Sequence, residues 1–192
     1  MGEQRVRVIG GQWRGRPIAA PPGRDTRPTT DRVREAIFSS VFSMVGDLDD
    51  ARVLDLYAGS GALGIEALSR GAAHATFVER DRRAAATVVR NLEALGVPQS
   101  RWQLVHSDAS RLVTRGDVEP VSLLFADPPY TIDAFAEWQV LETLGSAGVL
   151  EVGALVVYEH RADGGGEPPG VFTTRAEKRY GDTGVTYALY EG

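Results

Sequence analysis

A short loop with one acid, two prolines and a tyrosine follows an apolar run, in the sequence FADPPYT at residues 125–131. Asp127 and Pro128 each precede a proline, which excludes helical backbone angles and holds the loop extended. Pro128 and Pro129 have no N–H, so the loop is rich in acceptors. The Asp127 carboxylate and the Pro128 carbonyl could accept both N–H groups of an amine on a planar ring, while Tyr130 stacks on that ring. The alternative is a rigid turn that ends a buried strand.

A glycine-rich loop occurs earlier in the chain, in VLDLYAGSGALGIEAL. Gly59, Gly61 and Gly64 form a complete G-x-G-x-x-G pattern between a predicted strand and a predicted helix, as nucleotide-binding loops require. The glycines permit a tight turn and a close approach of backbone to ligand. The other residues of this loop that we expect to contact a ligand are Tyr57, Ala58 and Ser60. A plain strand-to-helix turn is the alternative, and the motif alone does not name the ligand.

Three carboxylates narrow the choice of ligand. Glu79 follows the second strand in FVERD, where it can accept both hydroxyls of a ribose. Asp108 follows the third strand in HSDAS, where it can accept a hydrogen bond from the exocyclic amine of adenine. Asp55 precedes the glycines and suits a cationic amino acid group better than a pyrophosphate. Each acid alone could be an exposed loop residue. Together they predict S-adenosylmethionine, with Arg80 and Ala109 as further contacts.

If S-adenosylmethionine binds at these loops, the proline loop is predicted to be a site of methyl transfer to nitrogen. The lone pair of the amine would point at the methyl group, while Asp127 and the Pro128 carbonyl face the positive charge that develops. Asp127 would thereby border the cofactor as well as the substrate. Alignment and electrostatics would supply most of the rate, with no covalent intermediate. The sequence has no cysteine, which excludes carbon-5 pyrimidine methylation through a thiolate adduct.

The elements that must position these loops alternate along the chain. Strands are predicted at 53–57, 75–78, 102–106, 121–126 and 154–158, and helices at 62–70, 82–95 and 133–144, with 108–115 weakly helical. This alternation predicts an α/β fold with a parallel sheet covered by helices on both faces. Residues 171–190 carry two strand-like runs around a Gly-Asp-Thr-Gly turn, which predicts a terminal antiparallel hairpin.

The N-terminal segment is organised differently. Residues 5–20 alternate between apolar and polar types and are broken by glycines, which predicts a β-hairpin arm. Thr29, Thr30 and Asp31 can cap a helix whose apolar residues recur at helical spacing over 33–45. We therefore divide the chain into an arm, residues 1–28, and a main domain, residues 29–192.

The charge of the chain is unevenly distributed. Residues 1–40 hold eight arginines and four acids, a net charge of +4, so the remainder carries −9 of the total of −5. A basic arm on an acidic body predicts contact with a polyanion; arginines that only solvate the segment are the alternative. The predicted RNA contacts are Arg5, Arg7, Trp13, Arg14, Arg16, Arg27 and Arg32. For Trp13 the alternative is an anchor of the arm on the core, and for Arg27 and Arg32 it is packing against acids of the body.

Composition bounds the remaining possibilities. The 192 residues are 43% hydrophobic, enough for one domain with a full core. Three scattered histidines and no cysteine argue against a metal centre. The first residues lack the apolar core of a signal peptide, and no apolar run approaches the roughly 20 residues of a membrane span. We expect a cytoplasmic, monomeric protein.

The motifs resemble those of the class I S-adenosylmethionine-dependent methyltransferases. DLYAGSGALGIEAL resembles their cofactor loop, ERD their ribose-binding segment and SDA their adenine-contacting segment. The resemblance implies a Rossmann-like, seven-stranded, mostly parallel sheet that ends in a hairpin with one antiparallel strand. DPPY resembles the fourth motif of amino-methyltransferases, a group that acts on adenine, cytosine, guanine and glutamine side chains.

The ends of the chain resemble one family within that group. RVIGGQWRGRPIAAP, TRPTTDRVREAIFS and KRYGDTGVTYALYE are similar to segments of the bacterial RsmD family. This implies methyl transfer from S-adenosylmethionine to a guanine N2 amine of 16S ribosomal RNA, on a flipped-out base within an assembled small subunit. The competing hypotheses are methylation of adenine N6 or cytosine N4 in DNA or RNA, a nicotinamide-dependent oxidoreductase, and a non-catalytic RNA-binding protein of ribosome assembly.

Overall fold

The computed structural model describes residues 6–21, 30–115 and 118–192. The helices are α1 (Asp31–Val45), α2 (Ala62–Ser69), α3 (Arg82–Leu95) and α4 (Ala134–Ser146). The strands are β1 (Val6–Arg7), β2 (Pro17–Ile18), β3 (Arg52–Leu56), β4 (His74–Glu79), β5 (Trp102–His106), β6 (Val121–Ala126), β7 (Leu150–Arg161), β8 (Phe172–Tyr180) and β9 (Thr183–Tyr190).

Seven strands form the main sheet, in the order β5-β4-β3-β6-β7-β9-β8. The pairs among β3 to β7 are parallel, and β9 runs antiparallel to both β7 and β8. The predicted parallel sheet with a closing hairpin is therefore confirmed. Because β3, β4, β5 and β6 all end at one edge, the loops that follow them meet there.

β7 differs most from the prediction, while the other predicted bounds of the main domain agree within two residues. β7 covers 150–161 and not only 154–158, and its register with β6 shifts between the pairs Val121–Leu150 and Leu123–Leu155. The residues at that irregularity, 151–153, are exposed, so the apolar pattern of a buried strand is missing there. The weakly helical segment is a 3₁₀ helix, Ala109–Arg115.

The two faces of the sheet pack against different layers. One apolar cluster joins the sheet to the arm and to α1, α2 and α3, with Phe38, Ile65 and Phe77 fully buried. The other joins it to α4, where Trp138 and Leu141 are buried. Both faces of the central strands are thus covered, which explains their nearly continuous apolar sequence.

The arm is a two-stranded antiparallel hairpin, as predicted, and it is docked on α2. The buried Glu66 carboxylate accepts the N–H groups of Ile9 and Gly10 at 2.8 and 2.7 Å, and Arg70 donates to it at 2.7 Å. Gly11 passes so close that a Cβ there would lie 1.8 Å from the Ser69 carbonyl oxygen. The predicted boundary between arm and domain, at residues 28 and 29, lies outside the described residues.

Within the described ranges, no helix is long and apolar enough to cross a bilayer. In those same ranges no three potential ligands of a metal ion cluster together.

Candidate active site

The glycine loop lies at the carboxyl edge of the sheet, between β3 and α2. Gly59 and Gly61 have φ of 58° and 79°, a left-handed conformation that favours glycine. A Cβ on Gly59 would meet only the Tyr57 carbonyl within 4 Å, so this side of the loop is open to a ligand. A Cβ on Gly64 would lie 2.4 Å from the Phe77 ring, so this glycine lets α2 approach the sheet.

Asp55 supports the loop from below. Its carboxylate accepts the Gly64 N–H at 2.8 Å, and the residue is only 2% exposed. We predicted direct contact with a cationic group of the ligand, but the buried carboxylate is turned to the loop backbone. Burial raises the pKa of Asp55 well above its ordinary value; the Gly64 hydrogen bond opposes this, while the charges of Asp127 and Glu79 add to it. Asp55 is therefore a residue that fixes the loop.

Glu79 holds the other end of the same loop. One carboxylate oxygen accepts the Gly59 N–H at 2.9 Å and the other accepts the Asp81 N–H at 2.8 Å. The residue is 3% exposed and lines the hollow beside the loop. Because each carboxylate oxygen has two lone pairs, Glu79 keeps capacity for hydroxyl donors.

That hollow brings together residues from four loops and strand ends. Its lining residues are Tyr57, Val78, Glu79, Arg80, Ser107, Ala109 and Pro129. Four predicted cofactor contacts are among them, and so is one proline of the predicted reaction loop. Asp108, half-exposed beside the hollow, accepts from the Ser110 N–H and hydroxyl at 3.1 and 2.8 Å and pairs with Arg80 at 3.3 Å. The Ser110 hydroxyl is the main cause that lowers the pKa of Asp108, so it carries a negative charge suited to amine donors.

The acceptor groups of the hollow suit the donors of S-adenosylmethionine. The carboxylates of Glu79 in the lining and of Asp108 beside it can accept from hydroxyl and amine donors, and Val78 and Ala109 add apolar residues to the lining. The open space beside Gly59 leaves room for further parts of the molecule.

Tyr57 is held by a residue that sequence reasoning missed. Its φ is 61°, unusual for a side chain of this size, and its hydroxyl donates to Glu137 Oε2 at 2.6 Å. Glu137 is fully buried, and its Oε1 has no hydrogen-bond partner within the described residues. Burial raises the pKa of Glu137 to about 7, although the Tyr57 hydroxyl opposes the shift. An acid in the first turn of a helix is ordinarily exposed, so its burial gave no signal in the sequence.

The proline loop follows β6 directly beside this hollow. Ala126 pairs with Leu56 of β3, so Asp127 lies next to the point where the glycine loop begins. Asp127 is half-exposed, Pro128 is buried and Pro129 is half-buried. Tyr130 is 46% exposed, with its hydroxyl 3.5 Å from Thr183 Oγ1. The Pro129 carbonyl accepts the Ile132 N–H at 2.9 Å.

The predicted RNA contacts are only partly available. Arg14 and Arg32 are exposed, and Arg7 is exposed but paired with Asp31 at 2.9 Å. Arg16 donates to the carbonyls of residues 94 and 95 at the end of α3. Arg5 and Arg27 lie outside the described residues.

Trp13 does not stack on RNA in this structure. The side chain is 5% exposed and packs in the core, 5.9 Å from the Arg101 guanidinium. The predicted RNA contact is wrong for this conformation, and Trp13 anchors the arm instead. The apolar area of the indole explains this outcome, because its burial is worth more than exposure on a hairpin.

Comparison with known proteins gives the family. The family model described as Conserved hypothetical protein 95 matches residues 6–190. The chain is 39% identical over 192 residues to Ribosomal RNA small subunit methyltransferase D of Escherichia coli (strain K12), covering 99% of this chain and 91% of that protein. The chain belongs to the RsmD family.

Two further relatives agree with this placement. The protein of the same name from Haemophilus influenzae is 33% identical over 187 residues, covering 97% of this chain and 93% of that protein. The solved structure of Escherichia coli yhhF superposes with a TM-score of 0.82 at 36% identity, covering 98% of this chain and 99% of that one. The RsmD family and the predicted methyltransferase fold are thus confirmed over nearly the whole chain.

The buried Glu137 predicts a pH dependence of stability. Its pKa is about 7 in the folded chain against an ordinary 4.5, so the folded state binds this proton more tightly than the unfolded state. The contribution of this proton to the free energy of unfolding is therefore fully present below pH 4.5. It declines as pH rises towards 7, by about 3 kcal/mol in total. Glu137→Gln keeps an acceptor for Tyr57 and removes this loss.

Urea denaturation at pH 5 and pH 8 measures the effect. The wild-type protein should lose stability relative to Glu137→Gln between the two pH values. Glu151→Gln, at an exposed position in β7, controls for the loss of one negative charge. Equal pH dependence of the wild-type protein and Glu137→Gln would contradict the assignment.

Proposed function

We propose that this chain transfers a methyl group from S-adenosylmethionine to the exocyclic N2 amine of a guanine in 16S ribosomal RNA. The observation that carries the proposal is the position of the Asp127–Tyr130 loop, which borders the cofactor hollow through Pro129. S-adenosylmethionine, when bound, supplies an electrophilic methyl group on a sulfonium. The family supports ribosomal RNA of the small subunit as the substrate, since the relatives carry that name.

The residues of this chain hold the amine in the reactive orientation. The Asp127 carboxylate and the Pro128 carbonyl accept its two N–H groups, so the nitrogen lone pair is directed away from them and towards the methyl group. Positive charge that develops on the nitrogen faces these two acceptors. The nitrogen that gains the methyl group, as the bond from that group to the sulfonium sulfur breaks, must lose one proton, and we assign the Asp127 carboxylate as the acceptor of that proton.

Tyr130 supplies the surface for the base. The residue is 46% exposed, while its hydroxyl lies near Thr183, the first residue of β9. A base stacked on this ring must leave its own stack, which costs a few kcal/mol. The ring extends from the proline loop towards the start of β9, and its exposed surface is available to a base.

The basic arm and the exposed arginine at the start of α1 are the proposed contacts to RNA phosphates. Arg14 and Arg32 are exposed, and Arg7 keeps a 65% exposed side chain despite its pair with Asp31. Phosphate contacts give affinity and orientation without reading the sequence, which suits a small protein that acts on a structured RNA. An assembled small subunit as substrate, a monomeric state and a cytoplasmic location stay predictions.

The identity of the methylated base tests the proposal. Small subunits from cells that lack the gene are incubated with the protein and methyl-tritiated S-adenosylmethionine, and the nucleosides are then separated. We expect the label in N2-methylguanosine. Label in N6-methyladenosine or N4-methylcytidine would show that adenine or cytosine is the substrate instead. Normal RNA binding without label would support the non-catalytic alternative.

Asp127→Ala tests the role of the proline loop. The substitution removes one acceptor for the amine, so single-turnover methylation should fall by about 100-fold or more. Binding of S-adenosylmethionine, measured by calorimetry, should persist. Asp163→Ala removes a carboxylate whose side chain is 86% exposed and serves as the matched control. Single-turnover methylation by Asp127→Ala at the wild-type rate would refute the assigned role.

The arm makes a prediction about salt. The double variant Arg7→Gln and Arg14→Gln, both at exposed positions of the arm, should bind the small-subunit RNA more weakly, with the slope of log affinity against log salt reduced by roughly one per arginine. Arg52→Gln, at the start of β3 and at the opposite edge of the sheet, is the control. A slope that matches the wild-type slope would remove the arm from the interface.

A further inference from the structure

One buried amide side chain joins the arm to the cofactor loop. Asn91 lies on α3 and is 4% exposed. Its Oδ1 accepts the Ala19 N–H at 2.8 Å, and its Nδ2 donates to the Ala19 carbonyl at 3.0 Å and to the Ser60 carbonyl at 2.9 Å. Ala19 directly follows β2 of the arm, and Ser60 lies between the two left-handed glycines of the loop.

The chemistry of these three bonds fixes the orientation of the amide. The two carbonyls need donors and the Ala19 N–H needs an acceptor, so only one of the two flipped forms of Asn91 satisfies all three. A carboxylate, a hydroxyl or an apolar side chain cannot do the same. Only an amide side chain at position 91 can therefore bond Ala19 of the arm and Ser60 of the glycine loop at the same time.

A second set of contacts makes the arm a unit that docks as a whole. Ser69 Oγ donates to the Gly10 carbonyl at 2.6 Å and accepts the Trp13 N–H at 2.9 Å. Glu66, on the same helix, holds the preceding amides of the arm. These contacts join the arm to α2. The Asn91 side chain joins the arm to the backbone of the glycine loop.

We propose that Asn91 is a positioning residue that couples the arm to the cofactor loop, so that RNA on the arm and cofactor at the loop strengthen each other's binding. With the arm docked, Asn91 holds the Ser60 carbonyl in the ligand-ready loop. With the arm displaced, Asn91 loses two of its three partners and is free to turn away from Ser60. A ligand that favours the docked arm therefore favours the ordered loop, and the effect is reciprocal.

The inference rests on the proposed function for the part that concerns RNA, but the first half of its test uses no RNA. S-adenosylhomocysteine is used as the ligand because it cannot be turned over. Hydrogen exchange of the Ala19 amide is measured with and without it, in the absence of RNA. Binding at the loop should slow exchange at Ala19 by about 5-fold or more in the wild-type protein, the lower end for coupled sites. No change at Ala19 would overturn the proposal whatever the RNA does.

The second half uses small subunits that lack the methyl group. The affinity for S-adenosylhomocysteine should rise by about 5-fold or more when the wild-type protein is bound to them, and this factor should approach one in Asn91→Asp. The carboxylate of that variant keeps the Ala19 N–H but faces two carbonyl oxygens. Asn91→Ala serves if Asn91→Asp does not fold, since water can reach the exposed Ala19.

Thr87→Val is the matched control on the same helix. Thr87 is fully buried, and its hydroxyl donates to the Arg83 carbonyl and accepts from Arg90, both within α3, so the variant perturbs the helix and leaves the three hydrogen bonds of Asn91 in place. It should keep the wild-type coupling factor. Equal coupling in wild-type protein and both Asn91 variants would refute the proposal. Failure of the wild-type protein to bind small subunits would instead contradict the proposed function, and the Ala19 measurement would still decide the coupling.

Discussion

The shape of the glycine loop is the constraint on which the site depends, and the loop cannot supply that shape itself. Glycines have no side chains to pack, and they lose more conformational freedom on folding than other residues. Three buried side chains from three elements hold the loop backbone instead: Asp55 on Gly64, Glu79 on Gly59 and Asn91 on Ser60. Each satisfies a backbone group that would otherwise be costly to leave unpaired. The burial of a carboxylate is the cost, visible as the raised pKa of Asp55, to which the charges of Asp127 and Glu79 add.

Everything else at this edge of the sheet is built around the fixed loop. Tyr57 leaves β3 in a left-handed conformation and is tied to α4 through Glu137, so the cofactor side is linked to the helix that follows the proline loop. The arm docks on α2 through Glu66 and on α3 through Asn91. The proposed function requires that two ligands meet, and here both candidate sites share one scaffold.

Much of the fold could be predicted from the sequence, because the alternation of buried strands and helices is local in the chain. The glycine loop and the proline loop were also recognisable, since their residue types restrict the backbone directly. What could not be predicted is the direction in which buried polar groups point. Asp55 is predicted to contact the ligand and bonds the loop backbone, the sequence leaves Trp13 open between RNA and the core, where it lies, and Glu137 gave no signal. These outcomes depend on long-range packing, which a local pattern does not contain.

Amide hydrogen exchange in the protein without ligand tests the central claim most directly. If buried side chains hold the loop before the cofactor binds, the Gly59 and Gly64 amides should exchange slowly, within about tenfold of a core amide such as that of Leu54. Exchange at the rate of an unprotected loop, slowed only when S-adenosylhomocysteine is added, would contradict it. In that case the cofactor would order the loop, and the buried carboxylates would need another explanation.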